Sequence, residues 1–461
     1  CVEMYQDLSY MTVPLPEDVI KLKNYGDFDG AMKMVDHFLT KDIPQVLRER
    51  LKIEKDVLKV LGRNEYPYSY EEALKIMEEH IRDFKSEELD ELKEIGAADW
   101  VYIDGAVHFQ RRFYENLIKT RPALAERVMV EDVDDARNNE QKVKLLNGNI
   151  QYMKEHGGRT VRTRIRATIQ AKEEAQEVGR KVRVHLPLPK VCQQVSNVEI
   201  VASSPEITAV APEDAPQRTV CFETEQKPGQ EFMVEYAYDY HVDYVELDPE
   251  KVSDEQPDFC TEEQAPHIVF TPYLRAVLDE ILDGETNPVK KARKIYDFVT
   301  TKVMYSYMRE YFTISCIPEY AALNLKGDCG VQALLFITLC RMTGIPARWQ
   351  SGLYATEFYT GCHDWAQFYV APYGWVFADL SFGGSAWRAG DMDRWNYYFG
   401  NLDIFRMPAN SEIQSEFVPE KKWLRIDPID NQRGEMEYED HGLAFEQIIE
   451  KQELISMEDI G

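Results

Sequence analysis

The stretch Gly327-Asp328-Cys329-Gly330, followed by Val331-Gln332-Ala333-Leu334-Leu335-Phe336-Ile337-Thr338-Leu339, limits the possible folds of this chain most sharply. It reads as a tight turn that opens a long helix, apolar on nearly every face. Such a helix has to be surrounded by the rest of its domain. The helix stops at Gly344-Ile345-Pro346, a glycine followed by a proline. The turn also bears on chemistry. It sets Cys329 in the first helical turn, where unpaired backbone N–H groups and the positive end of the helix dipole stabilise a thiolate.

A chain of 461 residues exceeds what one hydrophobic core serves, so three domains are expected. Apolar content of 44% and charged content of 29% are those of a globular protein. The net charge of −28 argues against a nucleic-acid partner, because phosphate binding needs a surplus of Lys and Arg on some face. No run of about 18 apolar residues would span a membrane, and no signal-peptide pattern is visible. The sequence begins at Cys1 without Met, which suggests a trimmed start; a lipid on Cys1 stays an alternative. Eight dispersed cysteines with no CxxC pair point to reduced thiols and a cytoplasmic setting.

Residues 1–156 have helical periodicity. Leu15-Pro16-Glu17-Asp18 starts a helix; Ala31, Met34, Val35 and Phe38 share one face, as do Ala73, Ile76, Met77 and Ile81. The aromatic stretch from Asp99 to Arg121 reads as core at helical spacing, with a peptide-binding surface as the alternative. The period changes at Gly157-Gly158. Alternating runs at 159–169, 181–186, 197–201, 218–222 and 231–238, punctuated by turn residues, predict an antiparallel β-sandwich over 157–246. An acid- and Pro-rich linker leads to a third region at 265–405, which holds helices from Pro272 and Pro288, the Cys329 helix, and strands over 347–354, 364–370 and 375–380. Residues 406–461 read as an extended tail, helical over about Leu443 to Glu453.

A cysteine nucleophile needs a base, and the base needs an orienting acceptor. His363 heads a strand and Asp379 ends the next one, after the turn Pro372-Tyr373-Gly374. Two adjacent antiparallel strands would set them side by side, with the Cys329 helix packed over His363. Asp379 lies among Phe377, Ala378 and Leu380, so its carboxylate needs a partner, and His363 is the nearest candidate. The Cys329 N–H is one expected oxyanion donor. Tyr305 is the candidate for the second, and Trp365 and Trp375 are candidate walls of the substrate site. Residues adjacent on a strand point to opposite faces, so Cys362 is expected to face away from the site. Asp328 and Asp364 are expected to serve the turn and strand edge. No metal site is expected: His185, His241 and His267 lack zinc spacing, and Asp391-Met392-Asp393 reads as a loop cap.

Together these residues resemble the transglutaminase-like superfamily. The resemblance rests on Gly327-Asp328-Cys329, Gly344-Ile345-Pro346-Ala347-Arg348, Trp349-x-Ser351-Gly352, His363-Asp364-Trp365 and Asp379, with Asn287-Pro288-Val289-Lys290-Lys291-Ala292 opening an earlier helix. It covers about residues 265–405. It implies a papain-like α+β core with Cys329 as nucleophile, His363 as general base and later acid, and Asp379 as orienter. It further implies a thioester formed from a peptide or protein carboxamide, then resolved by water (peptidase or amidase) or by an amine (acyl transfer), with no cofactor. A glycan-releasing amidase shares the chemistry but usually comes with metal-binding Cys pairs, which this chain lacks. A different reading is a binding or scaffold protein that keeps the fold without chemistry.

Overall fold

A computed structural model describes residues 8–129, 133–427 and 429–461. Cys1 lies outside the described residues. The first region is built from capped amphipathic helices. Asp27 caps Phe28–Leu39 by accepting from the Gly30 N–H at 2.7 Å, and Ser69 and Glu72 form a capping box before Tyr70–His80. Ala31 and Val35 are fully buried against Val19, Leu51 and Leu58; Ala73, Met77 and Ile81 join a second cluster. This region is not all helix. Trp100–Ile103 and Ala106–Phe109 form a hairpin, with Tyr68–Ser69 as a third strand. The reason is Asp104-Gly105, both at positive φ, which make a two-residue hairpin turn between alternating residues.

Two four-stranded sheets face each other in the next region. In one of them the long strands Gly158–Ala171 and Glu231–Asp243 pair along their length, and their Val161, Ile165, Ile169, Phe232 and Val234 lie in the core. Each sheet takes one strand from the C-terminal segment, which corrects the reading of 406–461 as an extended tail. Glu435–Tyr438 pairs with Lys181–Pro187, and Ile448–Asp459 runs antiparallel along Gly158–Ala171. The expected helix over 443–453 is a single 3-10 turn, Phe445–Gln447, followed by that strand. The open edge of Gly158–Ala171 supplies a ladder of backbone partners, which outweighs the local preference of a Glu- and Lys-containing stretch.

The third region centres on the helix Cys329–Met342, whose residues Gly330 to Cys340 are all buried. It packs on a five-stranded antiparallel sheet ordered Phe399–Gly400, Gly374–Ala378, Thr360–Val370, Ala347–Ala355, Arg406–Asn410. Phe336 meets Phe368 edge to face at 5.7 Å. Thr271 and Asn287 cap the helices Pro272–Leu282 and Pro288–Lys302 on their leading N–H groups. The architecture is α+β. No helix among the described residues is long and apolar enough to cross a membrane.

Candidate active site

The turn before the cysteine is held from two sides. Met304–Tyr305 pairs in parallel with Lys326–Gly327, and Asp328 caps the helix, accepting from the Val331 N–H at 3.2 Å and the Tyr311 hydroxyl at 2.5 Å. Gly330 leaves room for what closes on Cys329. A Cβ there would stand 2.3 Å from the Tyr311 oxygen and 2.7 Å from Asp364 Oδ2. With that space free, Cys329 Sγ donates to Asp364 Oδ2 at 3.2 Å.

The strand Thr360–Val370 decides which residues reach the sulfur. Ala366 and Phe368 belong to the core in which the cysteine helix is buried. Cys362 and Asp364 lie on that same face, four and two residues before Ala366, and both line the Cys329 cavity. The expectation that Cys362 faces away from the site is therefore corrected, and Asp364, expected to serve the strand edge, points into the cavity. The alternation argument was sound, but the helix packs on the other face of the strand. His363 and Trp365 share the opposite face.

There His363 Nε2 and Asp379 Oδ2 are 2.8 Å apart. Asp379 Oδ2 also accepts from Arg406 Nη1 at 2.6 Å, and its Oδ1 accepts from the Phe382 N–H at 2.9 Å, capping the helix Leu380–Arg388. Arg406 is fully buried, and its remaining donors reach Asp403 at 2.5 and 3.0 Å. Burial works against the Asp379 charge, yet His363 and Arg406 outweigh it and hold the carboxyl well below the usual range. The Phe382 ring lies 4.6 Å from the imidazole. Sequence reasoning thus paired His363 with Asp379 as the structure does, but the sulfur's hydrogen bond goes to Asp364.

The electrostatics of Cys329 follow from its neighbours. Burial raises its thiol well above the ordinary value, and Asp364 and Asp328 add to the rise. The expected dipole-stabilised thiolate is corrected on this point: a helix end offers about half a unit of positive charge, and two carboxylates oppose it. Burial also pushes Asp364 well above the carboxylate range, with Asp430 and Asp328 adding to it, and raises Asp328 and Asp430 to about 6 each.

The sulfur faces a cavity of about 460 Å³. Tyr305 lines it as expected of a donor candidate, and burial, Cys329 and Asp328 keep its phenol neutral. Trp365 and Trp375 do not line it. Trp365 is buried with Phe377 and Leu402 and donates to Gln350 Oε1 at 2.6 Å, while Trp375 lies 3.9 Å under the Arg348 guanidinium. Sequence reasoning missed the residues from outside the core that complete the cavity. Arg111 and Arg112 come from the first region, and Asp430, Gln432 and Arg433 from the C-terminal segment. Gln432 Nε2 donates to Asp364 Oδ1 at 2.7 Å, and Arg433 Nε reaches Cys362 Sγ at 3.4 Å. Only the alternation from Ala366 and Phe368 back to Asp364 was available as a signal.

Among the described residues, one group has metal-ligand spacing: Glu177, Asp440 and His441, at the edge of the β-sandwich. Arg180 already pairs with both carboxylates there. Asp391 accepts from the Arg394 N–H at 3.1 Å as a helix cap.

No curated protein matches the chain in sequence. Among solved structures, a candidate cysteine protease from Cytophaga hutchinsonii overlaps 66% of this chain and 91% of its own, at 13% identity and a TM-score of 0.43. The periplasmic domain of TgpA from Pseudomonas aeruginosa overlaps 54% of this chain and 96% of its own, at 14% identity and a TM-score of 0.28. Overlaps this loose carry no argument about activity. The sequence family described as the transglutaminase-like superfamily matches residues 275–380, from the helix before the core to the residue after Asp379. The chain therefore carries a transglutaminase-like domain at residues 275–380.

Proposed function

We propose that this protein is a thiol acyl-transfer catalyst acting on peptide or protein carboxamides through a thioester on Cys329. Water is the favoured acceptor, which makes it a peptidase or amidase; an amine acceptor would give transamidation. The observation that carries the reading is the placement of Cys329. It stands at the first position of a buried helix and opens into a cavity. The family pattern gives His363 and Asp379 the roles of base and orienter; their 2.8 Å pairing fits the orienter's part, while the sulfur's own hydrogen bond goes to Asp364. The Cys329 N–H and the neutral Tyr305 hydroxyl are the candidate oxyanion donors.

A second reading is favoured by two observations: the raised thiol value of Cys329 and the position of His363 on the other face of its strand. A binding or scaffold protein with the same fold would show both. A panel of peptide amides, with and without amine acceptors, separates the two. Turnover by wild type that is lost in Cys329→Ala supports the acyl-transfer reading. Equal background in both proteins supports the scaffold.

A further inference from the structure

We propose that Asn116, in the first region, is a positioning residue of the Cys329 site. It holds residues 304–311, and through them it places Tyr305 on the cavity wall. The inference rests on the acyl-transfer reading, in which Tyr305 is a donor to the developing oxyanion.

That stretch needs a hold from outside the core. Met304–Tyr305 pairs in parallel with Lys326–Gly327, and the Ser306 N–H donates to the Gly327 carbonyl at 3.1 Å. The pairing stops there, because the partner strand turns at Asp328 into the cysteine helix. Tyr307 has no strand beside it, so its backbone N–H and C=O need other partners. Asn116 supplies both. Its Oδ1 accepts from the Tyr307 N–H at 2.7 Å, and its Nδ2 donates to the Tyr307 carbonyl at 3.0 Å. The side-chain amide acts here as a peptide group would, and two contacts fix Tyr307 in direction as well as in place. Asn116 lies in the helix Phe113–Thr120 and is 8% exposed, so water competes little for either bond.

Two neighbours of Asn116 grip the same stretch. The Arg112 guanidinium lies 3.8 Å from the centre of the Tyr307 ring, and Arg111 Nη2 donates to Glu310 Oε1 at 3.2 Å. From the other side, the Tyr311 hydroxyl donates to Asp328, the residue before Cys329. Residues 304–311 are thus clamped between the first region and the cysteine turn. Tyr305, Tyr307 and Tyr311 all line the cavity, and the rings of Tyr305 and Tyr307 meet edge to face at 5.7 Å. A shift at Tyr307 therefore passes to Tyr305 through that ring contact and across the one residue between them. The matched family segment, residues 275–380, contains the cysteine and this wall. The residue that fixes the wall lies outside it. Displacing an oxyanion donor by about 1 Å is enough to cost roughly 100-fold in rate.

The test uses the full chain and two readouts: steady-state turnover of a peptide amide, and hydrogen exchange of the backbone amides at 304–311. Asn116→Leu keeps the size of the side chain and removes both bonds. Exchange at 304–311 is expected to quicken and kcat to fall about 10- to 100-fold, with KM nearly unchanged. Tyr305→Phe is expected to lower kcat by itself. Adding Asn116→Leu to it is expected to cost little more, because both changes remove one contribution. Where Asn116→Leu fails to fold, Arg112→Gln takes its place in the same cycle. It removes the ring contact, leaves the Tyr307 backbone bonded, and is expected to lower kcat by a smaller factor. Three results overturn the proposal and leave the acyl-transfer reading standing: wild-type kcat in the folded variant, a fall in kcat without faster exchange, or losses that multiply in the double variant. Wild-type turnover no greater than that of Cys329→Ala overturns the acyl-transfer reading, and the proposal with it.

Discussion

Arg406 shows how much one buried side chain can carry. Its guanidinium reaches Asp379 on one side and Asp403 on the other, and all three are sealed from water. Removing it leaves two buried carboxylates uncompensated, so Arg406→Met is expected to destabilise the protein by about 3–5 kcal/mol, read from urea unfolding. Asp379 sets the sign at low pH. Its native value is depressed, so its contribution is present above the ordinary carboxylate value and is lost as pH falls toward the native one. Acid unfolding in Asp379→Asn should lose that component. At this scale the sequence was readable where a residue announces its chemistry. Cys329, His363 and Asp379 stand in a recognisable order, and burial of Asp379 among apolar neighbours demanded a partner. The contact between Arg406 and Asp379 was not readable, because the two lie 27 positions apart and nothing local marks it.

The pleat of a single strand separates the His363 pair from the Cys329 cavity. Sequence alternation groups Cys362, Asp364, Ala366 and Phe368 correctly, but not which face meets the cysteine helix. Packing partners decide that, and they come from elsewhere in the chain. Another tertiary constraint sits at Gly352, where a Cβ would stand 1.9 Å from the Met407 carbonyl oxygen. Gly352→Ala is therefore expected to prise Ala347–Ala355 from Arg406–Asn410 and to cost about 2 kcal/mol or more in denaturant unfolding. The C-terminal strand shows the same dependence on context. Ile448–Asp459 has weak strand character of its own and is selected by the open edge beside it. Ending the chain at residue 447 should leave the 14-residue strand Gly158–Ala171 unpaired along one side. Lower melting temperature and concentration-dependent aggregation are the expected result, measured by calorimetry and light scattering.

Across the whole molecule, the cavity belongs to no single region. Its floor is the transglutaminase-like core, one wall carries Arg111 and Arg112 from the first region, and another carries Asp430, Gln432 and Arg433 from the last. The order of domains could be read from periodicity, yet this convergence could not, because it depends on the chain returning over distances that local patterns do not encode. The same convergence gathers acids that are buried or half-buried. Burial and Glu65 raise Glu310 to about 7, and burial raises Asp328 and Asp430 to about 6. These native values exceed the unfolded ones, so the folded state holds more protons between about pH 4 and 7. Their contribution is complete at the acid end of that window and is lost as pH rises through it. Asp430→Asn should flatten this loss in urea midpoints measured from pH 5 to 8. The most direct test of the account is chemical trapping at the sulfur. The full chain is incubated with an activated peptide ester, quenched in acid, and mapped by mass spectrometry. A hydroxylamine-labile acyl group on Cys329, absent in Cys329→Ala, is the expected result; no adduct on Cys329, or equal acylation of the other cysteines, would contradict it.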